Sequence, residues 1–384
     1  HCPAWHGPAE IPVTRRPRNP MTIELITASA AKLFEKDFDL GFMRSFRASG
    51  QHEKARLLRL CQEMGWHGLV IDEDRGGFGY PLDVLCALLQ ELGRAAFPTL
   101  YFSHFVAPLL TLDSVTGSPA KQRLLEAIAN CESTPVMATN SSTAESFAGV
   151  AAFRVEETAA GASICGRAEL VCDVDSATLL IVPALRSDGR IALFAVEKNR
   201  PGIQIGERVD QAYGRTFSVT CSSVLAGEVT ELDVLPQSTL RDVYSRCAIA
   251  QSAVLIGNAQ RAMAFAVEHI MVRKQFGKLL AEFQAVQHQA ADMYRAVDVA
   301  QLFLSEALEQ RDSDRLLESA SCCKAWANDA AFQVSATSHQ LMGGTGYMQE
   351  TNLQLLTSLA LRGQYEFGSA DYHRDVIASL ALRK

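Results

Sequence analysis

The chain has 384 residues, 48% of them hydrophobic and 21% charged, which is enough apolar material for a large core and two or three domains. A net charge of −7 with no basic run argues against a general nucleic-acid-binding role. The most apolar stretch, Ala248–Val267, is interrupted by Gln251, Asn258, Gln260 and Arg261, so no membrane span is expected.

Ten cysteines are scattered without a CxxC, and nine histidines form no HxxxH or HExxH arrangement. No metal site is expected, and the thiols read as reduced and mostly buried in a cytoplasmic protein. Residues 1–20 are proline-rich with no apolar segment, and read as a leader or flexible arm ahead of Met21. From Thr22 to about Asn130 the pattern is helical. Leu57, Leu58, Leu60, Cys61 and Met64 form one apolar stripe, and Leu82–Arg94 forms another helix. The glycine-rich loop between them, Leu69–Gly79, carries Asp72, Glu73 and Asp74 and lacks a GK[ST], so it is no phosphate loop. Between Pro135 and Pro236 the pattern changes to short β-branched runs. Strands are expected at Val150–Val155, Leu179–Pro183, Ile191–Val196 and Phe217–Leu225, separated by glycine turns. After Pro236 the chain turns helical again, over Thr239–Val272, Phe283–Gln310, Arg315–Met342, Thr351–Arg362 and Ala370–Leu382. Antiparallel packing of such lengths makes a four-helix bundle. The expected organisation is α+β: a leader at 1–20, a helical domain at 21–134, a β-barrel-like domain at 135–236 and a helical bundle at 237–384.

Gly277 breaks the long helix, and at the break stand the Arg273 guanidinium, the Gln275 and Gln284 carboxamides and the Phe276 ring. Such a turn suits a planar polyanion, because arginine forks onto phosphate and amides bond an adenine or ribose edge. It reads equally as a helix–helix corner with an exposed arginine. Further on, Gln340–Tyr347 (QLMGGTGY) ends a helix on glycines, including Gly343 and Gly344, where backbone can approach a ligand with no Cβ in the way.

Taken together, RKQFG, EFQAVQH and ADM followed by QLMGGTGY resemble the C-terminal domain of the acyl-CoA dehydrogenase family, in order and spacing from roughly Leu240 onward. The stretch MGWHGLVIDEDRGGFGY…LLQELGRAAFP is similar to the N-terminal domain, with Asp72 where the family loop usually has proline. The resemblance implies a helical–β–helical flavoprotein assembling as a homo- or hetero-oligomer, with FAD bound across the interface. It assigns Arg273, Gln275, Phe276, Gln284, Gln340, Gly343 and Gly344 to a neighbour's FAD. In the middle domain the family's TEPxAGSD loop corresponds to Thr139–Gly149. Only Thr139 carries over, as a hydroxyl or amide contact to the flavin ring, and Leu170 stands where an aromatic residue is common.

The implied reaction is α,β-dehydrogenation of an acyl-CoA or acyl-carrier thioester, with electrons passing to an electron-transfer flavoprotein. It needs a buried carboxylate base. In the family that glutamate lies on the long helix, at or near Cys247 of this chain, or after the GGxG segment in a YEGT motif. The second region here reads Gln364–Arg374 (QYEFGSADYHR). An ungapped alignment puts Phe367 at the glutamate's place and Glu366 one residue early. A one-residue slip on a helix turns a side chain by about 100°. Glu366 is the candidate base. The ungapped reading resembles an FGxAxxHR subgroup whose members often serve as base-lacking subunits of heteromers. It keeps open a non-catalytic subunit that supplies a flavin half-site, beside a flavoenzyme acting on carrier-bound acyl groups. The Asp371–Tyr372–His373 cluster reads as a helix-start aspartate and a surface histidine.

Overall fold

The computed structural model describes residues 20–36, 38–49, 51–139, 151–158, 161–208 and 216–382. The expected leader, apart from Pro20, and most of the Thr139–Gly149 loop lie outside the described residues. Helices α1 (Pro20–Lys36), α2 (Leu40–Ser49), α3 (Gln51–Glu63), α4 (Leu82–Arg94), α5 (Ala107–Asp113) and α6 (Pro119–Ala129) form the first helical layer, with a π-helical turn at Phe102–Val106. Strands follow: β1 (Pro135–Met137), β2 (Phe153–Thr158), β3 (Gly161–Cys172), β4 (Leu179–Leu185), β5 (Ile191–Glu197), β6 (Ile203–Arg208), β7 (Thr216–Leu225) and β8 (Thr230–Leu235). Their order is β6-β7-β3-β2-β4-β5-β8, with β1 parallel to β4 just ahead of β2 on the same edge.

Alternation explains how the sheet serves two cores. Leu180, Val182 and Ala184 of β4 and Ala192, Phe194 and Val196 of β5 point into a core that the sheet encloses. Ile181, Ile191 and Leu193 point the other way, into the main helical core. Because β4 is covered on both faces, its sequence Leu-Leu-Ile-Val-Pro-Ala-Leu is apolar throughout.

The bundle consists of α7 (Gln237–Val272), α8 (Gln284–Glu309), α9 (Leu316–Met342), α10 (Leu353–Gly363) and α11 (Ala370–Leu382). Residues 247–259 of α7 are buried without a break, since α4, α9 and α10 surround that segment. The α4–α7 crossing is backbone against backbone. A Cβ built on Gly93 would stand 2.1 Å from Val254 O, and one on Gly257 2.0 Å from Gln90 O. Glycine is required at both positions by space alone.

A second close-fitting feature holds the turn between α10 and α11. Lys324 of α9 is fully buried, and its Nζ donates to Asn328 Oδ1 (2.6 Å), Gly363 O (2.8 Å) and Gly368 O (3.3 Å). The Asn328 amide donates to Gln364 O and Gly368 O. His373 is not the surface residue expected: it is buried, its Nε2 donates to Phe367 O (2.9 Å) and its Nδ1 accepts from Ser321 Oγ (3.1 Å). The helix-start pattern placed it correctly in sequence but could not show that α9 covers that face. Burial pulls Lys324 down to about 7, and burial with the adjacent Lys324 pulls His373 down to about 3.

Two outcomes are expected. Gly257→Ala should cost about 3 kcal/mol or more, read as a lowered urea midpoint, because neither helix backbone can retreat without opening the core. Between the ordinary histidine value of 6.5 and about 3, the unfolded chain takes up a proton that folded His373 refuses, so stability should fall as pH falls through that window. The His373 share of the slope is at most about 1.4 kcal/mol per pH unit. Denaturant melts from pH 7 to pH 4 should show His373→Gln flattening it.

Candidate functional site

A small cavity of about 40 Å³ opens at the seam of the first helical layer, the sheet and the bundle. The π-helical turn supplies Phe102 and Ser103, with Thr99 just ahead of it; β3 supplies Val171 and Cys172; the α10–α11 turn supplies Glu366 and Phe367. Thr139, directly after β1, closes another wall, and its hydroxyl is hydrogen-bonded to Tyr244 OH on α7. Thus Thr139 and Glu366, remote in sequence, line one space.

Glu366 is in a turn rather than on a helix, and Phe367 has φ of 56°. The rotation per residue of a helix therefore does not apply, and both side chains line the cavity. Glu366 Oε1 accepts from Arg362 Nε at 2.8 Å, with side-chain exposures of 12% and 6%. Arg362 also donates to Cys172 Sγ at 2.7 Å, and that thiol lies 3.5 Å from Glu366 Oε1. Burial pushes the Cys172 thiol up, so it sits beside the carboxylate as a neutral donor. The Phe367 ring packs 5.2 Å from Phe102 and 6.2 Å from Tyr244, centroid to centroid. Cys247 is a buried thiol on α7, and burial raises it too.

The cavity wall is anchored by a buried charge cluster. Asp173, directly after β3, accepts from Lys54 (2.9 Å), Thr99 (2.8 Å) and Ser103 (3.0 Å), and Lys54 also pairs with Asp175 (2.9 Å). Burial opposes charge on both Lys54 and Asp173, but their mutual attraction prevails, raising the lysine and lowering the aspartate. Leu170 occupies a β-bulge between Ala168 and Val171 with φ of 57° and is 45% exposed.

The other expected residues lie elsewhere. Arg273 leads into a two-stranded hairpin, Lys274–Gln275 with Lys278–Leu279, whose turn residues Phe276 and Gly277 both have positive φ. That is the geometry of a tight primed turn. Arg273, Gln275, Gln284, Gln340, Gly343 and Gly344 are all exposed, and Phe276 is 92% exposed. A Cβ built on Gly277, Gly343 or Gly344 meets nothing within 4 Å. Ser338 Oγ donates to Ala262 O (3.0 Å), so the last turn of α9 packs against the C-terminal third of α7, on the Arg273 side of the bundle. An exposed guanidinium, three exposed carboxamides and open glycine backbone at that end fit a planar, phosphate-bearing cofactor. From Tyr244, at the cavity, to Arg273 is roughly 40 Å at 1.5 Å per helical residue. One dinucleotide cannot touch both ends of the same chain.

Sequence reasoning missed Arg362, Cys172, Thr99 and Ser103. Only Arg362 left a local signal, its i,i+4 spacing to Glu366. Among the described residues, no helix is long and apolar enough to cross a membrane.

Residues 244–382 match the family profile described as acyl-CoA dehydrogenase, C-terminal domain. The chain is 25% identical over 351 residues to (R)-benzylsuccinyl-CoA dehydrogenase of Thauera aromatica, covering 86% of this chain and 85% of that protein. It is 29% identical over 329 residues to cyclohex-1-ene-1-carbonyl-CoA dehydrogenase of Geobacter metallireducens, covering 80% and 84%. Its fold superimposes on butyryl-CoA dehydrogenase from Megasphaera elsdenii with a TM-score of 0.82 at 20% identity, over 94% of this chain and 98% of that one. Residues 244–382 thus match the acyl-CoA dehydrogenase C-terminal domain, and the chain as a whole has the helical–β–helical fold of, and is similar in sequence to, proteins of the acyl-CoA dehydrogenase family.

Proposed function

We propose that this chain is an FAD-dependent enzyme that dehydrogenates an acyl thioester across its α and β carbons. One observation carries the reading: the Glu366 carboxylate and the Thr139 hydroxyl line the same cavity between sheet and bundle. Glu366 would take the α-proton. Its Oε1 is held by Arg362, which fixes the carboxylate at the cavity wall. Phe102, Val171 and Phe367 keep water from the reacting carbons. Bound flavin supplies the acceptor for the β-hydride. Thr139 would contact that flavin, while Arg273, Gln275, Phe276, Gln284, Gln340, Gly343 and Gly344 would hold the FAD of a neighbouring subunit.

The separation of roughly 40 Å along α7 supports that division of labour. So does the apolar surface at the same end, where Met271, Val272, Tyr347 and Met348 are exposed. The two curated relatives are named for CoA thioesters, which favours a CoA ester over a carrier-bound substrate. An electron-transfer flavoprotein would take the electrons onward.

A second reading has its own observation. Glu366 is tied to Arg362 and Cys172, and Phe367 fills the position next to it. On that reading the Glu366 turn is a structural lock, and the chain is a non-catalytic subunit lending its Arg273 end to a partner.

The visible spectrum of the protein purified alone, then with FAD, separates the two. Bound flavin that bleaches on addition of acyl thioester supports the enzyme, and Glu366→Gln should then slow bleaching by about 10²–10⁴-fold. A protein that stays colourless with FAD in excess sinks the stand-alone dehydrogenase. Arg273→Ala should weaken FAD retention by roughly tenfold or more, measured by flavin release on dilution.

A further inference from the structure

Behind the cavity that holds Glu366 lies a second one, of about 20 Å³, and the two share Thr99 and Phe102 as a common wall. Leu89, Leu92, Phe97, Val254 and Leu359 line the second cavity, with the Gln251 amide as a polar group. It therefore offers an apolar sleeve between α4, α7 and α10, cut off by the Phe102 ring. Phe102 does not stand alone, since the Phe367 ring packs against it at 5.2 Å.

Phe367 is held at a cost. Its φ of 56° is a left-handed conformation that a bulky residue adopts only under constraint, at roughly 1–3 kcal/mol. The constraint is visible. Lys324 takes the carbonyls of Gly363 and Gly368, Asn328 those of Gln364 and Gly368, and His373 that of Phe367 itself. Side chains from α9 and α11 thus fix the carbonyls of the strained turn, and its product is an aromatic ring against the shared wall. Glycine would occupy the same backbone without strain, so the benzyl group is what the strained turn supplies.

We propose that Phe102 and Phe367 form an aromatic partition that sets the length of the apolar tail this protein accepts. Tails that end short of Phe102 fit the first cavity. Longer ones need the second, which the ring pair closes. The inference rests on the reading that the Glu366 cavity receives the acyl group, and it makes the substrate a short or compact acyl thioester. Phe102 and Phe367 are specificity-determining residues here, acting by shape.

The test uses the FAD-supplemented protein and S-alkyl thioethers of pantetheine, the arm common to coenzyme A and acyl carriers. These have no carbonyl and cannot be dehydrogenated, so calorimetric titration reads binding alone. In the unaltered chain, affinity should rise roughly fourfold per added methylene and then stop rising at a short tail. Phe102→Ala should move that break outward by two or more carbons, and Phe367→Gly, which keeps the turn's φ, should do the same. Phe102→Leu serves if the alanine variant does not fold, with a smaller outward shift expected. An unchanged break in folded variants, or no binding by any of the proteins, overturns the partition. A shifted break in a protein whose flavin no acyl thioester bleaches leaves the partition standing and removes the dehydrogenation.

Discussion

A buried lysine nitrogen without access to water must find its hydrogen-bond partners in the protein around it, and the geometry near the cavity follows from how this chain meets that demand at Lys324. Three oxygens surround its nitrogen, two of them carbonyls at either end of the Gly363–Gly368 turn. Leaving this buried polar nitrogen without its acceptors would cost about 1–3 kcal/mol, so the turn and the lysine enforce each other. Asn328 and His373 take up remaining carbonyls, which leaves the backbone no alternative path. Glu366 and Phe367 face the cavity because that backbone is fixed.

A second buried ion cluster does the same on the opposite wall. Lys54 from α3 meets Asp173 and Asp175 after β3, and Thr99 and Ser103 donate to the same Asp173 carboxylate. Removing one partner of such a pair typically costs about 3–5 kcal/mol, because the other charge stays behind in the interior. The cluster binds the first helical layer to the sheet, as Lys324 binds α9 to the turn. The cavity lies between two regions that polar interactions hold in register, while its own lining is largely apolar.

Much of this was legible in the sequence where one chain segment determines its own structure. The long bundle helices fell within two residues of expectation because apolar periodicity and glycine stops act locally: Thr239–Val272 was expected and Gln237–Val272 is present. The strands β4, β5 and β7 were visible as β-branched runs. β6 was not, since it is an edge strand with mostly exposed residues, and neither was β8. The cavity's composition was the least legible part. Cys172 and Arg362 meet Glu366 only through the fold, and the helical-rotation argument against Glu366 failed because Phe367 takes a left-handed turn that no propensity signals. The exposed Arg273 and Gly343 ends were found by motif, and solvent exposure is consistent with ligand-facing groups without assigning them one.

The length of α7 has an implication for how such a chain can change over time. Its two chemical ends, the Glu366 cavity and the Arg273 hairpin, are held by separate sets of contacts and joined by one rigid rod. Substitutions that dismantle the cavity need not disturb the hairpin, and the reverse also holds, because sites this far apart with no shared partners respond independently. On the proposed reading, a duplicated copy could therefore lose its base and still be retained for its other end. On that reading, catalyst and accessory subunit are neighbouring states of one scaffold.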